Sequence, residues 1–115
     1  MQYLLLIYGN ESAMLNAPKE ASTQMLAAYM AYTEAMKKAG TLIGSNRLRP
    51  TSEATTVRAP GGKQRVLDGP FAETKEQLAG YYLIEAPDLD AALAWAARCP
   101  GAQHGAIEVR PVWVM

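Results

Sequence analysis

Cysteine and histidine are nearly missing: Cys99 and His104 are the only residues of either kind. A single cysteine excludes an internal disulfide, and the pair together cannot supply the thiolate and imidazole sets that hold zinc. A reducing compartment, the cytoplasm, fits such a chain. No apolar run approaches the roughly 18 residues of a bilayer-spanning helix. Met1-Gln2-Tyr3 runs straight into four apolar residues without a basic stretch or a cleavage site, so neither membrane contact nor a secretory leader is expected. Net charge is absent too, with 11 Lys and Arg against 11 Asp and Glu. That balance argues against the broad basic surface that nucleic acid selects. HExxH, CxxC and phosphate-cradling glycine motifs do not occur, so neither a metal nor a nucleotide cofactor is expected.

What is present is a chain of 115 residues, half of them hydrophobic, enough for one domain, residues 1–115, with one core. Tyr3 to Tyr8 is apolar at alternate positions on both sides, which predicts a strand covered on both faces. Between Ala17 and Ala39 the spacing turns helical: Met25, Tyr29, Tyr32, Met36 and Ala39 form one stripe, with Asn16 as cap, Pro18 in the first turn and Gly40 as the stop. A short strand, Thr41 to Gly44, precedes a polar loop from Ser45 to Ser52. Thr55–Arg58 and Gln64–Leu67 flank Pro60-Gly61-Gly62, a hairpin signal. Gly80 to Glu85 is a second strand apolar on both faces. Asp88 caps a second helix with Leu89, Leu93 and Ala96 as its buried face, and this helix ends at Cys99-Pro100-Gly101. Ala106 to Val114 alternates again, with Ile107, Val109 and Trp113 on one side, and Pro111 demands an edge position.

The order is βαβ, hairpin, βαβ. Right-handed crossovers then favour an α+β ferredoxin-like sandwich with an inserted β-hairpin: four antiparallel strands, with both helices on one face. Two helices cover one face only, yet both central strands are apolar on both. A second subunit is the economical cover, so a homodimer is expected.

Asp68-Gly69-Pro70-Phe71-Ala72-Glu73-Thr74-Lys75-Glu76 holds the densest candidate chemistry. Pro70 ends the preceding strand, Gly69 tolerates the bend, and Asp68 at the corner is placed either to act as a general base or to cap its own turn. Glu73 and Lys75 follow as possible ligand contacts, or as charges on a solvated loop. Phe71 is expected to plug the core. Glu108 and Arg110 project opposite Ile107 and Val109, towards the second face, as an interfacial ion pair or a polar pocket wall. From Lys37 to Arg65 seven basic residues meet only Glu53; Arg47 and its neighbours read as an anion-steering arm or as a solvated hairpin. His104 reads as a solvated loop residue.

The Asp68–Glu76 run resembles, letter for letter, the signature of the bacterial DGPF proteins, a branch of the YCII-related family. Leu5-Ile7-Tyr8-Gly9, Ala54-Thr55-Thr56-Val57-Arg58, Gly80-Tyr81-Tyr82 and Glu108-Val109-Arg110-Pro111-Val112 extend the similarity over nearly the whole chain. The resemblance implies a ferredoxin-like subunit in a dimeric α+β barrel, with a small-ligand pocket at the interface, in a family whose function is largely unsettled. Members of the branch occur beside sigma-factor genes, which implies an accessory or regulatory binding role. Family members with a proposed active site pair a histidine at the end of the first strand with the aspartate matching Asp68. Here the first strand ends Ile7-Tyr8-Gly9-Asn10, without that histidine. Two readings result: a binding module for a small molecule, an anion in one form of this reading, using Tyr8, Arg47, Glu73, Lys75, Tyr81, Glu108 and Arg110, or an acid/base lyase or isomerase using Asp68.

Overall fold

The computed structural model describes residues 1–115. Its strands are β1 (Gln2–Gly9), β2 (Leu42–Arg47), β3 (Thr55–Arg58), β4 (Arg65–Asp68), β5 (Gln77–Glu85) and β6 (Ala106–Pro111). Its helices are α1 (Glu11–Leu15), α2 (Lys19–Lys38) and α3 (Leu89–Arg98). Four strands form one sheet in the order β2-β5-β1-β6, antiparallel throughout, and β3 and β4 pair only with each other. This is the ferredoxin-like α+β arrangement with an inserted hairpin. Pro111 lies on β6, an edge strand, where its missing N–H breaks no interior ladder.

Alternation along the central strands divides the sheet into two unlike faces. Tyr3, Leu5 and Ile7 of β1 and Tyr82 and Ile84 of β5 are buried against Tyr32 and Met36 of α2 and Ala92 and Ala96 of α3. Met36 and Ile84 are wholly inaccessible, and burying each such side chain contributes about 1.5–3 kcal/mol. On the opposite face Leu4 sits between Leu83 and Arg110, and Leu6 between Tyr81 and Glu108. No helix of the chain covers that side, so Leu4, Leu6, Tyr8, Tyr81 and Leu83 are only half-buried. The molecule is accordingly flat, 46 × 44 × 19 Å.

Several elements depart from the sequence reading, each for a local reason. Glu11–Leu15 is an additional short helix: Asn10 caps it by accepting from the Ala13 N–H at 2.9 Å, and Asn16 closes it instead of opening α2. Pro18 stands just before α2, and Ala39 is exposed at its end. Strand β2 runs on to Arg47 and so absorbs the first three residues of the expected loop, while β5 begins at Gln77. The face of α3 is rotated: Ala92 and Ala96 are buried while Leu89 and Leu93 stay exposed. The Tyr32 hydroxyl donates to the Trp95 carbonyl at 2.7 Å, and the two rings meet edge-on. That contact fixes the helix rotation and turns small residues to the sheet. Trp113 lies beyond the end of β6, 90% exposed. Phe71 does not plug the core; it is 78% exposed, with the Arg58 guanidinium 5.4 Å from its ring centre.

Candidate functional site

A cleft of about 280 Å³ opens where three chain segments meet at one end of the sheet. The first wall is the β1–α1 corner, with Gly9, Glu11, Met14 and Leu15. The second is the end of β2 and the loop after it, from Arg47 to Pro50, and the third is the start of β5, from Gln77 to Ala79. A β-bulge shapes the third wall: Ile7 is opposite Gly80 but Tyr8 is opposite Leu78, leaving Ala79 without a partner on β1. Its carbonyl instead accepts from the Leu48 N–H at 2.8 Å, which ties the loop to β5.

Glu11 joins the walls. Its two carboxylate oxygens accept from the Thr51 N–H and the Thr51 hydroxyl, each at 2.6 Å, and its own N–H donates to Gln77 Oε1 at 2.9 Å. Gln77 in turn donates from Nε2 to the Thr74 carbonyl at 2.5 Å, so the end of the Asp68–Glu76 run is anchored to the same network. Each carboxylate oxygen of Glu11 is thereby bonded to Thr51, while the residue itself forms part of the cavity wall. Arg49 pairs with Glu53 at 3.3 Å and is largely exposed, a contact that contributes little. Arg47 makes neither an ion pair nor a side-chain hydrogen bond. The cleft thus combines an apolar lining from Met14, Leu15, Leu48, Pro50 and Leu78 with one uncommitted guanidinium. Such a lining suits a small anion with an apolar body.

Of the residues singled out from the sequence, Arg47 lines this cleft, with Arg49 of the same basic stretch beside it. Asp68 is the exposed last residue of β4, opposite Thr55 on the hairpin. Its carboxylate does not cap the turn. The turn is held by the Gly69 N–H to the Ala54 carbonyl at 2.7 Å and by the Thr56 hydroxyl to the Gly69 carbonyl at 2.8 Å. Gly69 has φ +113°, a conformation that side-chain-bearing residues avoid. Glu73 and Lys75 are exposed and form no ion pair. Tyr8, Tyr81, Glu108 and Arg110 share the uncovered sheet face. Tyr81 Oη accepts from Asn46 Nδ2 at 2.8 Å, and Arg110 Nε donates to Glu108 Oε2 at 2.5 Å. Tyr8 is level with Ala106 and Arg110 with Leu4, so the two side chains stand four residues apart along β1, roughly 13 Å. Within the chain, then, Asp68, Tyr8 and Arg110 do not converge.

The remaining titratable groups are structural. Cys99 is buried, its thiol 3.8 Å from the Tyr29 hydroxyl, and burial pushes its pKa up. Burial likewise raises Tyr29, Tyr32 and Tyr82. His104 is exposed at the rim of a shallow groove between α2 and the chain after α3; the nearby Arg98 lies over the Trp95 ring at 4.4 Å. No three His, Cys, Asp or Glu side chains gather as a metal site would need. Glu11, Thr51 and Gln77 went unnoticed in the sequence because they belong to three distant segments. Only the Gly9-Asn10-Glu11 sequence hinted at a capped turn there.

Comparison with known proteins agrees with this architecture. A relative in Rhizobium meliloti (strain 1021), described as "Uncharacterized protein R00369", is 41% identical over 114 residues, covering 97% of this chain and 92% of its own length. Among solved structures, 5-chloro-2-hydroxyhydroquinone dehydrochlorinase (TftG) from Burkholderia phenoliruptrix AC1100, in complex with 2,5-dihydroxybenzoquinone, superposes with a TM-score of 0.57 over 98% of this chain and 94% of that one, at 16% identity. At that identity the likeness is one of fold. The profile of the YCII-related domain matches residues 1–115 from end to end, and with the sheet order and relative just described it places the chain in the YCII-related domain family.

Proposed function

We propose that this protein is a cytoplasmic homodimer of the DGPF branch that binds a small anionic molecule, in an accessory or regulatory role. The observation that carries the reading is Arg47: a guanidinium without an acidic partner, at the edge of a cleft whose other lining is mostly apolar. A carboxylate or acidic enol on a ring or short chain would satisfy both parts of that lining. Pairing of two subunits through the uncovered sheet faces would remove Leu4, Leu6 and Leu83 from water and enclose Tyr8, Tyr81, Glu108 and Arg110 as polar groups of an inter-sheet space. Glu73 and Lys75 lie on the run that Gln77 fastens to the cleft wall, which makes them candidates for contacts at its mouth.

A second reading, an acid/base lyase or isomerase using Asp68, is supported by one observation: the Asp68 carboxylate accepts no hydrogen bond inside the subunit and is free to take a proton. The fold hosts a dehydrochlorinase in TftG, so catalysis by this architecture is feasible. Titration of the protein with benzoate, inorganic phosphate and 2,5-dihydroxybenzoquinone, followed by calorimetry, tests the first reading. Arg47→Gln is expected to weaken the best of these at least about 10-fold, equivalent to about 1.4 kcal/mol, whereas Asp68→Asn leaves its affinity unchanged. Equal affinity of the wild type and Arg47→Gln would sink the anion reading. Turnover of a bound probe that is lost in Asp68→Asn would establish the second.

A further inference from the structure

We infer that the β3–β4 hairpin is an arm that seats on a second copy of this chain, an inference that rests on the homodimer proposed above. The hairpin lacks what a folded element needs. Its two strands of four residues pair only with each other, and an isolated two-stranded hairpin is marginal in water. It also exposes apolar surface on both sides. Val57 and Val66 are cross-strand neighbours, 54% and 52% exposed, and Leu67, on the other side, is 61% exposed. The radius of gyration, 16.0 Å, exceeds the roughly 13 Å of a compact chain this long.

Area and charge both identify a second copy as the occupant. Four strands at about 4.8 Å spacing and a mean length of about 24 Å give the open sheet face roughly 450 Å². A stable interface needs about 800 Å² from each partner. The sheet face alone falls short. One face of the paired strands of the hairpin adds roughly 130 Å², and the surface covered by the partner's hairpin adds as much again, which brings each subunit to roughly 700 Å², within the range of about 600–1,000 Å² per partner that stable interfaces occupy. In a two-fold assembly each arm is exchanged, so both deficits disappear together. Charge follows the same pattern. Arg58 and Arg65 are directly opposed on the hairpin with no acidic partner, and Glu73 and Glu76, in the segment that follows β4, form no ion pair. Like charges face to face destabilise a hairpin, and a copy of the same chain brings the missing acids as well as the missing bases.

The test is Val57→Asp together with Val66→Asp in the full chain. Neither residue belongs to the main core, so the near-ultraviolet signal of the Tyr32–Tyr82–Trp95 cluster reports whether the subunit stays folded. Sedimentation across the micromolar range is expected to show a wild-type dimer whose dissociation constant rises at least about 100-fold in the double variant. Hydrogen exchange of the wild type is expected to protect the amides of residues 56–57 and 65–67, with the protection lost on dilution to monomer. A wild-type dimer unaffected by the two aspartates would overturn the arm and leave the dimer standing. A wild type that is monomeric throughout would overturn the dimer and the arm together. Protection that survives in the monomer would mean that the arm lies on its own subunit, and would equally refute the exchange.

Discussion

The contact that makes the cleft is the one between Glu11 and Thr51, and removing it should be felt in stability. In Glu11→Ala the Thr51 N–H and hydroxyl lose a charged acceptor at 2.6 Å each, at a half-buried position. Hydrogen bonds to an ionised group contribute about 1.5–3 kcal/mol. Because both bonds end on one threonine they are not independent, and partial exposure lowers their sum, so the expected loss is about 2–3 kcal/mol. With an unfolding entropy of about 2 cal/mol/K per residue, that is a fall in Tm of roughly 8–12 °C at fixed protein concentration. Glu11→Gln is the control. Its amide oxygen can still accept from the Thr51 N–H, and its NH₂ can donate to a reoriented hydroxyl, so it should lose only about 1 kcal/mol. Thr51→Val removes the hydroxyl bond alone and should lose about 1 kcal/mol in the wild type but nothing measurable in Glu11→Ala, a coupling that a double-mutant cycle reads directly. Urea unfolding is the assay. If Glu11→Ala stays within about 0.5 kcal/mol of the wild type, or if the two substitutions simply add, Glu11 is not the tie between the walls.

Two further expectations concern packing and pH. A Cβ on Gly105 would lie 2.0 Å from the Tyr8 carbonyl oxygen and 3.1 Å from Gly9 Cα; since backbone must move, Gly105→Ala should destabilise by about 3 kcal/mol or more, and a loss under about 1 kcal/mol by urea denaturation would show that the β1–β6 end is slack. Burial raises Cys99 above its usual 9.0 and Tyr29, Tyr32 and Tyr82 above their usual 10.0. The folded state therefore holds these protons more tightly than the unfolded chain, so their contribution is complete below pH 9 and is lost as pH rises through and beyond that range. Stability measured from pH 7 upward should be level and then fall; a rise above pH 9 would contradict the burial of these groups.

The parts of the fold that were legible in the sequence are those in which a single period decides the outcome. β1 and the Gly80–Glu85 part of β5 are unbroken apolar runs, α2 keeps its Tyr32 and Met36 spacing, and Pro111 demanded the edge that β6 occupies. Errors arose where a tertiary contact outweighed the local pattern. Leu89 and Leu93 look like the buried face of α3 until Tyr32 and Trp95 fix its rotation and place Ala92 and Ala96 against the sheet. Glu11–Leu15 has too few residues for any period to register. Phe71 is apolar and follows a proline, yet it lies beside Arg58 of the hairpin, which has no core to receive it. Arg47 was legible as a candidate because basic residues cluster around it. The network that frames it was not, since Glu11, Thr51 and Gln77 are brought together only by the sheet.

The Asp68–Glu76 run is the most conspicuous string in the sequence and among the least engaged within the subunit. Gly69 is held at φ +113° by bonds to Ala54 and Thr56, so its geometry is enforced, yet Asp68, Phe71, Glu73 and Lys75 all project into solvent. A glycine adopts that conformation at little cost, and apart from the Phe71 ring against the Arg58 guanidinium these side chains add little to the stability of one chain, which leaves them available to the partner and ligand proposed above. Its two ends lead to different places. Asp68 closes the arm, and Thr74 is hydrogen-bonded through Gln77 to Glu11 and the cleft wall. One short segment therefore connects the surface we assign to a second subunit with the cavity we assign to a ligand.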